Sequence, residues 1–590
     1  MSDFIYSKIK VNKDGFLTKA IQSIYEDKDK PNVIEYHGPW GSLAVSRNLY
    51  HGFEPYEDDE YIAIVIGGPL LMYQDNRFIR NTDSNEGTKS IYARWKQNKI
   101  KWDKDLNGPF AILFINKLSS EITFITDLMS FIPIYKLQTK DNFVISTHVD
   151  VLAKVSGERD RIDPVSQVDF ILHGIVTYPY TMYKNIRQVA PATLHKYDNV
   201  TLRHIENSYW IPYEKHTDLS LDEVAIQLRQ DLQNYINYIT NETQNIAQFI
   251  SGGEDSRTLS ALLQPIKRDA FIFIDEMNLE GRIAKKVADI YGADLKVYTR
   301  HKYHYAHILP TCSNLVGSGS QYHHAHTYGF HRKCDLQAYD AVFGGLLADA
   351  LLKGSHIKKV RYSGQLPFKK EEKRTDFSNA DHIDSDLFSE SILKLLTKRR
   401  REHLEYISSF RKESAEEWFE LWPSSMNMNI PNIHANRRLF RSYEPFMSND
   451  VVKLSAQIPQ SWKLNRRLFH IMAKPLLKPS KWLRHGDGWF PYYSWHLRSI
   501  TVPFVILKRK VERELLKTNK VHGPWGSWQA VVASNDWVKM KEKYKKGMNP
   551  LTAIIEKDKD LIDNNKLTIS QQVNLVQVLY FNSKINGVEL

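Results

Sequence analysis

An apolar run, Ile246–Ile250, leads directly into Ser251-Gly252-Gly253-Glu254-Asp255-Ser256, and a helical pattern follows over Arg257–Leu263. Strand, Gly-Gly loop and helix in that order constrain the chain more than any other feature. Two glycines allow a tight loop whose N–H groups converge, and the helix start adds the positive end of its dipole. Such a nest suits a phosphate or pyrophosphate. Ser251 and Ser256 offer hydroxyls to it. Asp255 repels phosphate unless a cation lies between them, so the loop implies Mg²⁺. No GxxxxGK[ST] stretch is present, which excludes a Walker loop.

The alternation continues downstream. Ala270–Ile274 reads as a strand, Leu279–Tyr291 as a helix ending at Gly292, and Leu295–Tyr298 and Ala341–Phe343 as further strands. That order predicts a parallel sheet with helices on its faces. The last strand opens into Gly345-Leu346-Leu347-Ala348-Asp349-Ala350-Leu351-Leu352-Lys353-Gly354. Asp349 would then stand at the carboxyl end of a second parallel strand, where two acids can share one ion. Asp349 as an ordinary helix-start residue is the plainer alternative.

The first third reads differently. Tyr61–Ile66, Phe110–Ile115, Ile122–Ile125 and Phe143–Ser146 are short apolar runs separated by turn residues, which predicts a β-rich unit. A boundary is expected near Tyr209–Asp218. Ser220 and Glu223 then form a capping-box pattern, with Val224, Leu228, Leu232, Tyr235 and Ile239 at helical spacing behind it. Ser355–His382 is polar and is expected to be a loop or insertion. Helical patterns, among them Glu416–Leu421, run on to the C-terminus. His37-Gly38-Pro39-Trp40-Gly41-Ser42 recurs as His522-Gly523-Pro524-Trp525-Gly526-Ser527, and both copies are turn-like.

The 590 residues exceed what one core organises, so several domains are expected. No run approaches the roughly 18–20 apolar residues that span a bilayer. Residues 1–16 lack a secretory-signal core. A cytoplasmic protein without a membrane partner is expected. The formal charge of +12 is spread among many acids, and no RNA-binding signature accompanies it. No dedicated nucleic-acid role is expected. Two cysteines, Cys312 and Cys334, exclude a disulfide-built fold and an all-cysteine zinc site.

The SGGEDS string resembles the SGGxDS loop of the PP-loop ATP pyrophosphatases, and Gly345–Gly354 is similar to the GxGADELFxG segment of asparagine synthetases. More of the chain follows that family. Leu106–Ala111 resembles its LxGxFA strand. Asp127, Pro133 and Tyr135 fit RDxxGxxPLY, with Thr126 and Ser130 in place of the arginine and glycine. Ile162-Asp163, Thr181–Ile186, Pro191 and Tyr209-Trp210 match the path into its synthetase domain. The resemblance implies α/β and α+β architecture. A β-rich sandwich of the N-terminal-nucleophile type is expected over residues 1–212. A PP-loop parallel-sheet α/β domain with a helical C-terminal part is expected over 213–590. It implies ATP and Mg²⁺, with Ser251, Gly252, Gly253, Asp255, Ser256 and Gly345 at the nucleotide, and with Asp255 and Asp349 as metal ligands.

The family's glutaminase uses a cysteine exposed by removal of the initiator methionine, whose free amine is the local base. Here the second residue is Ser2, and no cysteine precedes Cys312. Gly67-Gly68-Pro69 stands where the family's NGE segment helps hold glutamine. No intrinsic glutaminase is therefore expected. The ExRxPFLD segment matches Arg441–Ser448 with its first acid and arginine replaced, and Glu444 out of register. The RxKxGF segment matches Arg484–Trp489, with Gly486 in place of the lysine that neutralises charge. Arg484, Lys481 or His485 is expected to supply that cation, or a remote lysine folds in. His323 and His326, within Gln321–Cys334, offer a metal set with His324 and Cys334; the family has no zinc. As residues of an acceptor pocket they would orient or deprotonate an amine.

The function expected is ATP-dependent amide formation through an acyl-adenylate. The carboxylate would come from a small molecule, sugar acid or peptide, and the nitrogen from free ammonia, a separate amidase or the substrate itself. Similar families are the β-lactam synthetases, lasso-peptide cyclases and sugar-acid amidating enzymes. A homodimer is compatible with this reading. A nucleotide-binding pseudoenzyme and a PP-loop RNA-modifying enzyme are the alternatives.

Overall fold

The computed structural model describes residues 3–11, 13–80, 84–361, 363–364, 369–374, 387–515, 526–552, 554–555, 561 and 566–585. Two six-stranded antiparallel sheets occupy the first third. One runs, edge to edge, through Arg187–Gln188, Tyr135–Gln138, Phe143–Ser146, Phe4–Ser7, Gly41–Ser46 and Val33–Gly38. The other runs through His204–Ser208, Thr193–Asp198, Glu121–Thr126, Phe110–Asn116, Tyr61–Gly67 and Tyr56–Glu57. Alternate residues of both meet in one core that includes Phe4, Tyr6, Leu43, Ile64, Leu113, Phe124 and Ile145. The outer faces are covered too. Helices Phe16–Gln22 and Val149–Ser156 lie on the first sheet, helix Glu86–Lys96 lies on the second, and the buried stripe of Leu221–Thr240 belongs to the same apolar cluster as that sheet's outer face. Strands such as Phe110–Asn116 are therefore buried on both faces, which is why they read as continuous apolar runs.

The expected strands of this third are present, and others join them. The first HGPWGS copy lies across the hairpin from Val33–Gly38 to Gly41–Ser46. Gly41 there has φ +128°, and an added Cβ would lie 2.3 Å from the Ser7 carbonyl oxygen. Residues 522–525 of the second copy lie outside the described residues. Ser130, where the resemblance has glycine, adopts φ +52°. The turn is fixed by Asp127, whose carboxylate accepts the N–H groups of Phe110, Met129, Phe131 and Ile132.

The second sheet system is a five-stranded parallel sheet in the order Asp294–Thr299, Asp269–Ile274, Ile246–Phe249, Ala341–Phe343 and Ser442–Tyr443. Four of these are the expected strands. The fifth has only two residues, too few to show a period. The expected capping box forms: Glu223 N–H donates to Ser220 Oγ at 3.3 Å, and Ser220 N–H to Glu223 Oε2 at 2.8 Å. Val224, Leu228, Leu232, Tyr235 and Ile239 are all buried. Part of the expected insertion, 375–382, lies outside the described residues, and so do 362 and 365–368. Its described parts pair back through Lys359 and Lys373.

Among the described residues no helix is long and apolar enough to cross a membrane. Helices dominate the C-terminal part, and the last, Ile569–Ile585, returns to the N-terminal sandwich. Gln167 Nε2 donates to Asn582 Oδ1 at 2.6 Å, and Asn574 Nδ2 donates to the Ile171 carbonyl at 3.2 Å. Two further ties join the halves. Asp3, just before the first strand, is 1% exposed and is held by Arg437 and Arg438 from helix Pro431–Leu439. Tyr50 donates its hydroxyl to the Ser442 carbonyl at 2.7 Å and accepts from Ser442 N–H at 3.2 Å.

Candidate functional site

The loop after strand Ile246–Phe249 is ordered by its own side chains. Ser256 Oγ accepts from Ser251 N–H at 3.0 Å and lies 2.8 Å from Ser251 Oγ. Ser251 Oγ accepts from Gly253 N–H at 3.1 Å. Neither glycine adopts a positive φ; what they provide is room. A Cβ on Gly252 would lie 2.8 Å from Glu280 Oε2, and one on Gly253 would lie 3.0 Å from Ser251 Oγ. Glu280, buried, accepts the Gly252 N–H at 2.7 Å. The helix begins at Glu254, earlier than its apolar pattern shows, so Glu254 and Asp255 occupy its first turn.

Strand Ala341–Phe343 is hydrogen-bonded beside Ile246–Phe249, and its following loop brings Asp349 to Asp255. Lys353 Nζ lies 2.5 Å from Asp255 Oδ1, 2.5 Å from Asp349 Oδ1 and 3.8 Å from Glu254 Oε2. Lys353 is buried, whereas Asp349 is exposed. Burial, and then Asp349, push the Asp255 carboxyl up to about 7 against the pull of Lys353. Desolvation raises Asp349 as well, but Lys353 outweighs it and holds Asp349 below the ordinary carboxylate value. Arg466 completes the group, its Nη2 2.8 Å from Glu254 Oε1 and its guanidinium stacked 3.7 Å over Trp489. Neither Lys353 nor Arg466 was singled out from the sequence. The register of helix Ala348–Leu352 was the available signal for Lys353, because it puts residues 349 and 353 on one face.

The two acids fit a hard divalent cation. Both already converge on one positive charge, and the burial and repulsion that raise Asp255 are what such a cation offsets. Gly345 packs here too: a Cβ on it would lie 3.4 Å from Asp255 Cβ.

The segment around Gly486 is pinned to the loop from behind. Arg257, fully buried, donates Nη1 to the Leu483 carbonyl at 2.8 Å, and Nη2 to the Arg484 carbonyl at 2.9 Å and the Gly252 carbonyl at 3.3 Å. A Cβ on Gly486 would lie 2.6 Å from Glu280 Oε2. The carboxylate that fixes the loop thus lies against this position, and a side chain here would have to displace it. Arg484 has its main chain at the site, but its guanidinium is exposed and lies over Phe490. Lys481 lies over Trp482. His485 stacks on Trp489, and its pKa is pushed down to about 3 by burial and by Arg257, Arg466 and Lys353. It is neutral at physiological pH.

In front of the loop is a cavity of about 520 Å³. Ser251, Asp255, Ser256, Gly345, His323 and His326 all line it, so the structure brings the phosphate loop and the histidines to one space. His323 and His326 are held neutral, well below the usual imidazole value, by burial and by their neighbouring histidines. His323 Nδ1 is buried without a hydrogen-bond partner among the described residues. His326 Nδ1 lies 3.3 Å from the Tyr305 hydroxyl. Cys334 contacts Tyr298, and burial raises its thiol to about 11. Among the described residues the His/Cys/Asp/Glu group with metal-ligand spacing is a different one, His195, His204 and Glu206, into which Lys136 Nζ projects at 3.1 Å from Glu206 Oε1. Glu444 lines the cavity as well. It accepts from Leu346 N–H at 2.9 Å and from Ser442 Oγ at 3.1 Å, and burial raises it to about 7. No lysine or arginine is among the described residues that line this cavity.

Residues 227–483 match the family model for asparagine synthase, and residues 56–210 match that for a glutamine amidotransferase domain. No curated protein matches the chain. Among solved structures, one described as the allosteric regulatory enzyme of purine biosynthesis aligns at 8% identity and TM-score 0.25, over 50% of this chain and 80% of its own. The glutamine phosphoribosylpyrophosphate amidotransferase from B. subtilis, complexed with ADP and GMP, aligns at 9% identity and TM-score 0.22, over 50% and 84%. At those scores neither alignment bears on this site.

Proposed function

We propose, since the chain belongs to an asparagine synthetase-like family, that it joins a carboxylate to an amine by way of an acyl-adenylate, with ATP as co-substrate and without hydrolysing glutamine itself. The asparagine synthase match supports ATP-dependent amide formation in general. The observation that carries the finer reading is the convergence of Asp255 and Asp349, from the ends of two adjacent parallel strands, beside a serine-glycine loop and in front of a cavity.

Asp255 and Asp349 would hold Mg²⁺, which supplies positive charge to the phosphate oxygens of ATP. The chain's own residues do the rest. Ser251, Gly253 and Ser256 set the loop that receives the phosphates. The substrate carboxylate oxygen attacks the α-phosphorus, the bond to the β-phosphate oxygen breaks, and pyrophosphate leaves with the electron pair. An amine then attacks the acyl carbon, loses a proton, and AMP departs. Negative charge grows in both steps, and Lys353 and Arg466 are the fixed cations that touch the acids of the site. Charge neutralisation is assigned to these two ahead of Arg484, Lys481 and His485. Glu444, poised near neutrality, is the base that takes the amine proton, and His323 and His326 orient the acceptor. The cavity wall formed by the described residues carries no lysine or arginine, which suits a substrate whose body is neutral or amine-bearing.

The N-terminal domain supports the second half of the proposal. At Gly67, in the place of the family's asparagine, an added Cβ would lie 2.5 Å from the Pro109 carbonyl oxygen, and Pro69 stands in the place of its glutamate. Neither position offers a polar side chain to grip glutamine. Ser2 lies outside the described residues.

The test is pyrophosphate release from ATP with a panel of carboxylic acids, titrated with magnesium. Asp255→Asn and Asp349→Asn should each raise the magnesium needed for half-maximal rate by roughly tenfold or more, with unchanged circular dichroism. Unchanged magnesium dependence in both variants would place the site elsewhere.

A further inference from the structure

A second cavity, of about 170 Å³, lies where the N-terminal sandwich, the parallel-sheet domain and helix Ile569–Ile585 meet. It shares no lining residue with the cavity in front of the phosphate loop. Three cations line it: Lys154 and Arg159, in and just beyond helix Val149–Ser156, and Lys584 from the last helix.

Among the described residues one carboxylate lines the cavity with them, Asp150, and it is already occupied. Its oxygens accept from the Tyr183 hydroxyl at 2.8 Å, from Ser318 Oγ at 2.5 Å and from Ser318 N–H at 3.0 Å. Lys584 Nζ donates to Asn314 Oδ1 at 2.7 Å, and Arg159 Nη2 donates to the Lys584 carbonyl at 3.0 Å. Among the described residues none of the three cations has a carboxylate partner in ion-pair contact. Ser313 also lines the cavity. It is 7% exposed, and its Oγ has no hydrogen-bond partner among the described residues. Burial, joined by repulsion from Arg159, holds Lys154 below the ordinary lysine value; burial also lowers Lys584, where Arg159 and Lys154 oppose the pull of Asp150.

Three half-buried like charges at one cavity, with one committed acid among the described residues, leave an excess of positive charge there. An arginine fork and two ammonium groups are the donors that oxyanions attract, and a free buried hydroxyl adds another. We propose that this cavity binds a small dianionic oxyanion, a phosphoryl group or a short dicarboxylate, held by Lys154, Arg159 and Lys584. Bound there, it clamps the last helix to the sandwich and stabilises the folded chain by linkage. This inference does not rest on the adenylating reaction.

The experiment titrates the full chain calorimetrically with inorganic phosphate and, separately, with malonate, and follows thermal unfolding in each. At least one anion should bind with one-to-one stoichiometry at this cavity and raise the unfolding temperature. Phosphate alone assigns a phosphoryl ligand, malonate alone a dicarboxylate, and both together any compact dianion. Lys154→Met and Lys584→Met should each weaken binding by roughly tenfold or more, the worth of a charge-assisted hydrogen bond. Lys154→Arg and Lys584→Arg, which keep the charge, should retain it and so separate lost binding from lost folding. Phosphate binding that is undiminished in the Lys154→Met, Lys584→Met double variant belongs to the phosphate loop and overturns the proposal. So does the absence of binding by both anions.

Discussion

Replacing Asp3 with asparagine should cost more stability than any other single isosteric change at the interface between the halves. The carboxylate accepts five hydrogen bonds. Arg438 Nε donates to Oδ2 at 2.8 Å and Nη2 to Oδ1 at 2.8 Å, while Arg437 Nη2 reaches Oδ1 at 3.0 Å. Thr147 Oγ1 donates to Oδ1 at 2.8 Å, and the Tyr25 hydroxyl to Oδ2 at 3.2 Å. Arg437 and Arg438 expose 1% and 2% of their side chains. A neutral amide in place of the carboxylate would remove the charge that both buried guanidiniums share as an acceptor. Breaking a buried pair in this way costs about 3–5 kcal/mol, and a loss felt by two buried cations puts the change at the upper end. Arg437→Met should cost less, about 1.5–3 kcal/mol, because Asp3 and the two-point contact of Arg438 remain a balanced pair.

The pH dependence has a definite sign. Burial raises the Asp3 pKa, but Arg438 and Arg437 outweigh it and hold the carboxyl far below its ordinary value. The stability it contributes is therefore complete above about pH 3.9 and is lost as pH falls from there toward its folded-state pKa. Urea unfolding followed by tryptophan fluorescence, at about pH 7 and stepwise below about pH 4, measures both effects. The gap between parent and Asp3→Asn should narrow only below about pH 4. A variant within about 0.5 kcal/mol of the parent at neutral pH, or one no worse than Arg437→Met, would refute the reasoning.

Lys353→Met should lower pyrophosphate release on the order of 10²–10³-fold at saturating magnesium, while the magnesium needed for half-maximal rate falls, because Lys353 competes with the ion for Asp255 and Asp349. A parental rate would show that the cation acts elsewhere. Amide formation, measured separately from adenylation once a substrate is found, should rise as pH increases through about 7, where Glu444 loses its proton. Glu444→Gln should flatten that limb of the profile and leave adenylation unchanged. A retained pH dependence would remove Glu444 as the base.

Sequence patterns sufficed for elements with a period or a cap. The parallel strands, the Ser220 capping box and the buried stripe of helix Leu221–Thr240 all follow from local composition. Strand Ser442–Tyr443 left no signal because two residues have no period. Both ends of the candidate metal site were legible, since Asp255 and Asp349 each follow a strand in a distinctive string. The cations around them were not. Lys353 meets Asp255 only across two adjacent strands, and Arg466 reaches Glu254 from a distant turn. Gly486 reads from sequence as a missing lysine. In the fold it is a position that the Glu280 carboxylate borders, and that depends on a contact 206 residues away in the chain, between positions 280 and 486. Glu444 looked out of register against a motif, yet the short fifth strand places it in the cavity wall.

Tyr50 gives the N-terminal sandwich a task unrelated to glutamine. Strand Ser442–Tyr443 is the border of the parallel sheet, and an uncovered border invites pairing with another chain. The Tyr50 hydroxyl engages both the carbonyl and the N–H of Ser442, standing in for the neighbour that the strand lacks. A gene that shed the codons for this sandwich would therefore discard a seal along with any ancestral chemistry, and its product would carry a raw seam into a crowded cell. Retention of a whole domain can be selected on that ground alone, whatever chemistry the domain performs.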